Sequence, residues 1–214
     1  GRAIVNLIGC EPDEKVSAFI SVKEFNDDHY VVMATEKGMV KKTKLSAYSN
    51  PRKKGIYAVE IREGDKLIEA RVSTGDNDIL LGTRNGKSIR FSEEQIRASG
   101  RKTMGVKGIT LSSEDDRLVG MLLIKREGTV LVATEKGFGK RTEISQYRAQ
   151  KRGGKGVLTM KTTDKVGKMV TIKEVVDKDD LMIITNQGVL IRLPVAQIRS
   201  IGRATQGVKL IKLG

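Results

Sequence analysis

Four short apolar runs punctuate the chain: Tyr30-Val31-Val32-Met33-Ala34, Ile79-Leu80-Leu81, Val130-Leu131-Val132-Ala133 and Leu181-Met182-Ile183-Ile184. Each is followed by Thr-x-x-Gly, at 35 to 38, 83 to 86, 134 to 137 and 185 to 188. Runs this short and this rich in β-branched residues suit strands covered on both faces, not helices. The glycines recur every 48 to 51 residues, a spacing that marks a blade or solenoid array. In the first unit Tyr30 to Thr35 reads as a strand, Glu36-Lys37-Gly38 as the turn and Met39 to Thr43 as the return. Lys41 and Lys42 fall at the far end of that return, where the strand should run out into solvent. A polar loop with Arg52, Lys53 and Lys54 follows. Tyr57, Val59 and Ile61 then alternate with Ala58, Glu60 and Arg62, which predicts a second hairpin, Ile56 to Arg62 with Leu67 to Val72 about the turn Glu63-Gly64-Asp65. Four strands plus turns fill a unit of about 50 residues, the size of a propeller blade.

The register extends beyond the turns. Counted from Gly38, Gly86, Gly137 and Gly188, the fourth residue on is always basic (Lys42, Arg90, Arg141, Arg192), and the tenth is Tyr48, Ile96, Tyr147 or Ile198. A second base follows, Arg52, Arg101, Arg152 or Arg203, and then Gly55, Gly105, Gly156 or Gly207 ahead of a β-branched residue. The loops at 44 to 54, 92 to 104, 143 to 155 and 194 to 206 can hold one helical turn, as Ser92-Glu93-Glu94-Gln95 does in sequence. The class is all-β, and no apolar stretch is long enough for a membrane-spanning helix. Aligned on the second glycine, residues 1 to 7 duplicate 105 to 111 and 207 to 213. The repeats are therefore approximately 1–54, 55–104, 105–155 and 156–206 with a partial 207–214, all in one domain. Duplicate ends imply an excerpt cut inside a blade from a longer array, so neither end is read as a targeting segment.

Composition adds a partner class. The net charge is +14, which points to an anionic partner. Acids gather in the hairpin turns, whereas the recurrent bases lie at the end of the second strand and in the long loop. Blades set about an axis would bring those bases to one rim as a belt. Edge-strand protection and solubility are the plain alternative for strand-end cations, yet solubility does not require charge at one phase of a repeat. The single cysteine, Cys10, excludes an internal disulfide framework and suits a reducing compartment. With one histidine, His29, in the turn-like Asn26-Asp27-Asp28-His29, neither a zinc set nor a Ser-His-Asp or Cys-His catalytic arrangement can be assembled. Tyr30, Tyr48, Tyr57 and Tyr147 occupy strand or apolar repeat positions and are expected in the core. With four Phe, four Tyr and no Trp, none interleaved with the basic loops, base stacking on single strands has little support. Gly153-Gly154-Lys155-Gly156 lacks the spacing of a nucleotide phosphate loop. Duplex DNA, met through its backbone, is the remaining polymer, and a scaffold whose basic rim meets acidic proteins is the alternative.

The heptapeptide Gln150-Lys151-Arg152-Gly153-Gly154-Lys155-Gly156 resembles the GyrA box of the DNA gyrase A C-terminal domain family. The likeness covers essentially the whole chain, including Gly139-Lys140-Arg141-Thr142 and Gly202-Arg203-Ala204-Thr205-Gln206-Gly207-Val208. The resemblance implies a β-pinwheel, a disc of usually six propeller-like blades with strands exchanged between neighbours, whose basic perimeter wraps duplex DNA with little sequence preference. It also implies a non-catalytic domain of an ATP-dependent type II topoisomerase in the bacterial cytoplasm, associated with the nucleoid. The remainder of gyrase A and gyrase B would be its partners, with ATP and magnesium needed only by the holoenzyme and no cofactor in this domain. In the family the defining box lies on the first blade, whereas here it lies in the third of four units, as a second copy would. A topoisomerase IV C-terminal domain is the nearest rival, and an intact box weighs against it because those domains carry degenerate boxes. The DNA-binding candidates are Gln150, Lys151, Arg152, Gly153, Gly154, Lys155 and Gly156 of the box, with Lys41, Lys42, Arg52, Lys53, Lys54, Arg90, Arg101, Lys102, Lys140, Arg141, Arg192 and Arg203. Two bases per unit over four units predict roughly eight neutralised phosphates and a log-log salt slope of about −7.

Overall fold

The computed structural model describes residues 13–52, 54–125 and 127–212. Cys10 and the strand expected over residues 1 to 7 lie outside them. The described residues form strands β1 (Tyr30–Thr35), β2 (Met39–Lys44), β3 (Leu67–Ser73), β4 (Asp78–Thr83), β5 (Lys87–Ser92), β6 (Val106–Lys107) and β7 (Leu118–Ile124). They continue with β8 (Thr129–Thr134), β9 (Phe138–Glu143), β10 (Val157–Leu158), β11 (Met169–Val175), β12 (Asp180–Ile184), β13 (Leu190–Pro194) and β14 (Val208–Lys209). After β2, β5, β9 and β13 comes a single 3-10 turn, at Leu45–Tyr48, Glu93–Gln95, Ile144–Gln146 and Val195–Gln197. The fold is all-β, and among the described residues no helix is long and apolar enough to cross a membrane.

Every Thr-x-x-Gly forms the expected hairpin, pairing β1 with β2, β4 with β5, β8 with β9 and β12 with β13. The second hairpin does not form. Residues 56 to 62 carry no strand, and Leu67–Ser73 pairs with β1 instead. In the three later units the second glycine directs the chain to another partner. Gly105, Gly156 and Gly207 all have positive φ and sit so close to the preceding sheet that a Cβ would fall 2.3 Å from the Val40 carbonyl oxygen, 2.2 Å from that of Ser88 and 2.5 Å from that of Gly139. The short strand that follows is thereby laid on the preceding blade: β6 pairs with β2, β10 with β5 and β14 with β9. Past it, the N–H groups of Gly108, Thr159 and Leu210 donate to the carbonyls of the hairpin glycines Gly38, Gly86 and Gly137 at 2.8 Å. Alternation along a strand sets which face is buried, not which neighbour pairs with it.

Among the described residues three four-stranded sheets result, here called A (β3-β1-β2-β6), B (β7-β4-β5-β10) and C (β11-β8-β9-β14), with D as the pair β12-β13. Each of A to C borrows its last strand from the following repeat, the exchange that defines a pinwheel. β3, β7 and β11 pack against one another and so lie innermost, which puts β6, β10 and β14 on the outer edge. The core lies between blades. Val32, Ala34 and Val40 of sheet A meet Ile79, Leu81, Ile89 and Phe91 of sheet B, and Leu80 and Leu122 of B meet Val130, Val132, Met169 and Ile172 of C. Leu131 and Val175 of C meet Val195 and Ile198 beside sheet D. Both faces of the central strands are thus covered, as their unbroken apolar runs require. A Cβ on Gly120 would lie 2.7 Å from Ile172, so a bare glycine is what lets B and C approach there. Tyr147 is buried as expected, Tyr30 and Tyr48 are half-buried, and Tyr57 is exposed, as are Lys107 and Lys209 at the same place in β6 and β14.

Candidate nucleic-acid interface

The bases that end the second strand do not run out into solvent. Lys41, Lys42, Lys140 and Arg141 are all buried, because the next blade covers that end. Lys42 Nζ donates to the Glu93 carbonyl at 3.0 Å, Arg90 Nη1 to the Ile144 and Tyr147 carbonyls at 3.3 and 3.2 Å, and Arg141 Nε to the Ile198 carbonyl at 2.5 Å. One repeated contact explains the basic residue four places after the turn glycine in sheets A to C: it ties the blade to the 3-10 turn of the next or the residue that ends it. Arg90 also pairs with Asp78 at 2.7 Å and Arg141 with Asp177. Arg192 on β13 is exposed but held by Asp180, whose carboxylate raises its already high pKa.

The residue before this base is a buried lysine in sheets A and C. Lys41 Nζ donates to the carbonyls of Ala58, at 2.9 Å, and Arg101. Lys140 Nζ donates to the Gly202 carbonyl at 2.8 Å, the Thr205 carbonyl at 3.2 Å, Thr205 Oγ1 at 2.9 Å and the Arg203 carbonyl. Burial, with the nearby guanidinium of Arg101 or Arg203 as a lesser cause, lowers both ammonium pKa values from 10.5 to about 8. These two lysines hold the rim loops from beneath.

The rim loops are where accessible charge collects. Each leaves its 3-10 turn and crosses to the preceding blade, where the N–H of Ser99, Gln150 or Ile201 donates to the carbonyl of Lys42, Arg90 or Arg141 at 2.8 to 2.9 Å. The second recurrent base then makes its own tie. Nη1 of Arg101, Arg152 and Arg203 donates to the carbonyls of Tyr57, Lys107 and Leu158 at 3.4, 2.6 and 2.9 Å, in every case two residues past the glycine of the preceding repeat. All three remain partly exposed with further guanidinium N–H groups to offer. Arg52, Lys54 and Lys102 are exposed, and Lys53 lies outside the described residues.

The box forms the rim of sheet B. Arg152 is anchored through its N–H to Gln95 Oε1 at 2.8 Å and its Nε to the Gln95 carbonyl at 3.2 Å. The Gly153 N–H reaches the Gly108 carbonyl at 2.8 Å, and the Gly154 carbonyl accepts from the Thr110 N–H at 2.9 Å. Gly153 needs its positive φ of 82°, and Gly156 cannot carry a Cβ against Ser88. Gln150 Oε1 is buried without a hydrogen-bond partner among the described residues. Lys151 and Lys155 differ from the rest: both are exposed and neither makes a hydrogen bond or ion pair among the described residues. Counting on from the turn glycines also brings up a series not singled out in the sequence. The eleventh residue is Ser49, Arg97, Arg148 or Arg199, and the three arginines are exposed.

With this geometry in view, the comparisons with known proteins decide the family. The family described as "DNA gyrase C-terminal domain, beta-propeller" matches residues 29–74, 77–125, 128–175 and 179–214, close to the four hairpin units. The chain belongs to the DNA gyrase A C-terminal domain family. The DNA gyrase A protein of Staphylococcus epidermidis is 46% identical over 217 residues, covering 100% of this chain and 24% of that protein, and that of Staphylococcus aureus shows the same values. The chain thus spans about a quarter of the length of these relatives. Among solved structures, the C-terminal domain of DNA topoisomerase IV superposes with a TM-score of 0.92 at 26% identity, covering 99% of this chain and 66% of that one. The DNA gyrase A C-terminal domain superposes at 0.90 and 23% identity, with 100% and 71% covered, which bears on the fold alone. In this gyrase-family fold the box is the outer-edge loop that leads into β10, the strand borrowed from the next blade.

Proposed function

We propose that this gyrase A-type domain binds, bends and wraps duplex DNA around its outer edge, and that it performs no catalysis itself. The observation that carries the reading is the position of Lys151 and Lys155, two exposed cations without partners on the rim of a chain with net charge +14. Neither is required by the fold, so their charge is available to a polyanion. Arg52, Lys54, Arg101, Lys102, Arg152 and Arg203 extend the track, in place of the buried Lys41, Lys42, Lys140 and Arg141. With these eight rim residues the reading predicts roughly eight neutralised phosphates and a slope of about −7. Bending a site of 20 to 30 base pairs costs on the order of 1 to 6 kcal/mol, and contacts repeated from blade to blade along a curve are a suitable way to offset it.

In the holoenzyme the wrap would present a DNA segment to the cleavage gate as a positive crossing, and strand passage would leave negative supercoils. ATP and magnesium serve the other parts of that bacterial cytoplasmic, nucleoid-associated enzyme, and gyrase B and the rest of gyrase A are the protein partners. The likeness to the topoisomerase IV domain favours a second reading, in which the same rim binds DNA without supporting supercoiling. A titration of mixed-sequence duplex against the chain across salt concentrations tests the binding, and a topology assay on the holoenzyme separates the two readings. A steep negative slope is expected, lessened in Lys151→Gln/Lys155→Gln; a slope near zero overturns the proposal.

A further inference from the structure

Arg97, Arg148 and Arg199 occupy one structural position three times. Each stands two residues beyond its 3-10 turn, Glu93–Gln95, Ile144–Gln146 or Val195–Gln197. Two residues later, at Ser99, Gln150 or Ile201, the backbone is bonded to the preceding blade. The arginines therefore lie at the seams, A to B, B to C and C to D, whereas Arg101, Arg152 and Arg203 lie on the blades themselves.

Apart from the exposed Arg52, the other recurrent bases are accounted for by contacts within the protein, and these are not. Where a base ties blades together here, its nitrogens meet carbonyls or a carboxylate, as Arg90 does with Asp78, Ile144 and Tyr147. Arg97, Arg148 and Arg199 are exposed and make no hydrogen bond or ion pair among the described residues. Edge protection does not explain them either, since they stand on a crossing segment and not on a strand. Three unpaired guanidinium groups at one phase of the repeat call for an external anion.

We infer that Arg97, Arg148 and Arg199 form a second cation row, at the seams, that takes duplex phosphates between those met by the blade-borne rim loops. The inference rests on the DNA-binding reading above. Duplex DNA carries one charge per about 1.7 Å of axis, so contacts confined to blade rims leave the phosphates over each seam without a counter-charge. A row at the seams makes the cationic track continuous, and guanidinium is suited to it because its planar fork can hold a phosphate through two N–H groups.

The test compares four proteins in duplex titrations across salt concentrations: the unaltered chain, R97Q/R148Q/R199Q, R97K/R148K/R199K and K23Q/K173Q/K178Q. The last removes equal charge at exposed lysines outside the rim loops. The seam variant is expected to lessen the salt slope by about 2 to 3, at about 0.9 per phosphate, with an unchanged unfolding midpoint. The lysine variant and the distant control are expected to retain the slope. A shallow slope for the unaltered chain overturns DNA binding itself. A steep slope that the seam variant retains overturns the seam row alone, and so does an equal loss in the distant control, which would mark a bulk-charge effect.

Discussion

The rim of sheet B and the rims of sheets A and C solve one packing problem with opposite placements of charge. Three residues after the turn glycine, A and C have Lys41 and Lys140, and B has Ile89. In A and C the buried ammonium supports a loop of the form Arg-x-Thr-x-Gly, closed by Thr103 Oγ1 on the Gly100 carbonyl at 2.9 Å and Thr205 Oγ1 on the Gly202 carbonyl at 3.0 Å. In B the loop is Arg152-Gly153-Gly154-Lys155-Gly156, with Gly154 where the threonine stands. A Cβ there would lie 3.5 Å from Ile89 Cδ1. An apolar floor replaces the ammonium, and the loop's lysine points to solvent one residue on. The comparison teaches that a recurring base in a basic domain is no proof of contact with an anion. Its role depends on whether backbone carbonyls have already claimed it.

Substitutions can break that contrast in graded steps. The largest effect is expected for Gly156→Ala, where a Cβ would meet the Ser88 carbonyl at 2.2 Å at a φ of +70°; a loss of roughly 3 kcal/mol should appear in urea unfolding. Gly154→Ala, two residues away and without a positive φ, should change stability by less than about 0.5 kcal/mol. Lys140→Met is expected to cost roughly 2 kcal/mol by leaving carbonyls under the loop without their donor. Lys41→Met should cost less, because Lys41 serves fewer acceptors. The smallest effect concerns pH. Lys140 has its pKa lowered from 10.5 to about 8, so between those values the unfolded chain holds a proton the folded chain has released. The stability of the native protein relative to Lys140→Met should therefore rise with pH across that window, as unfolding midpoints at its two ends would record.

Much of this was legible in the sequence, and the rest was hidden for physical reasons. The hairpins followed from apolar runs and Thr-x-x-Gly, because a strand covered on both faces needs a continuous apolar run. The box was visible as a motif. The exchange of β6, β10 and β14 was not legible from alternation, since Ile56 to Arg62 and Leu67 to Val72 suit a hairpin as well as they suit two different partners. The burial of Lys41 and Lys140 was hidden for a related reason: a lysine in a strand reads as polar, and only the carbonyls of a loop some 60 residues on make its burial tolerable. Arg97, Arg148 and Arg199 were within reach of the repeat count, but the first unit has Ser49 in their place, so the series is broken at its start.

The central claim is that rim lysines without partners hold DNA while the buried ones hold the fold. The salt dependence of duplex binding, measured side by side for the unaltered chain, Lys151→Gln/Lys155→Gln and Lys41→Met/Lys140→Met, tests it directly. For the exposed pair the slope should lessen by about 2 with stability retained, and for the buried pair it should be unchanged under conditions where that variant remains folded. A slope unaltered by loss of Lys151 and Lys155, or lessened equally by loss of Lys41 and Lys140, would contradict it.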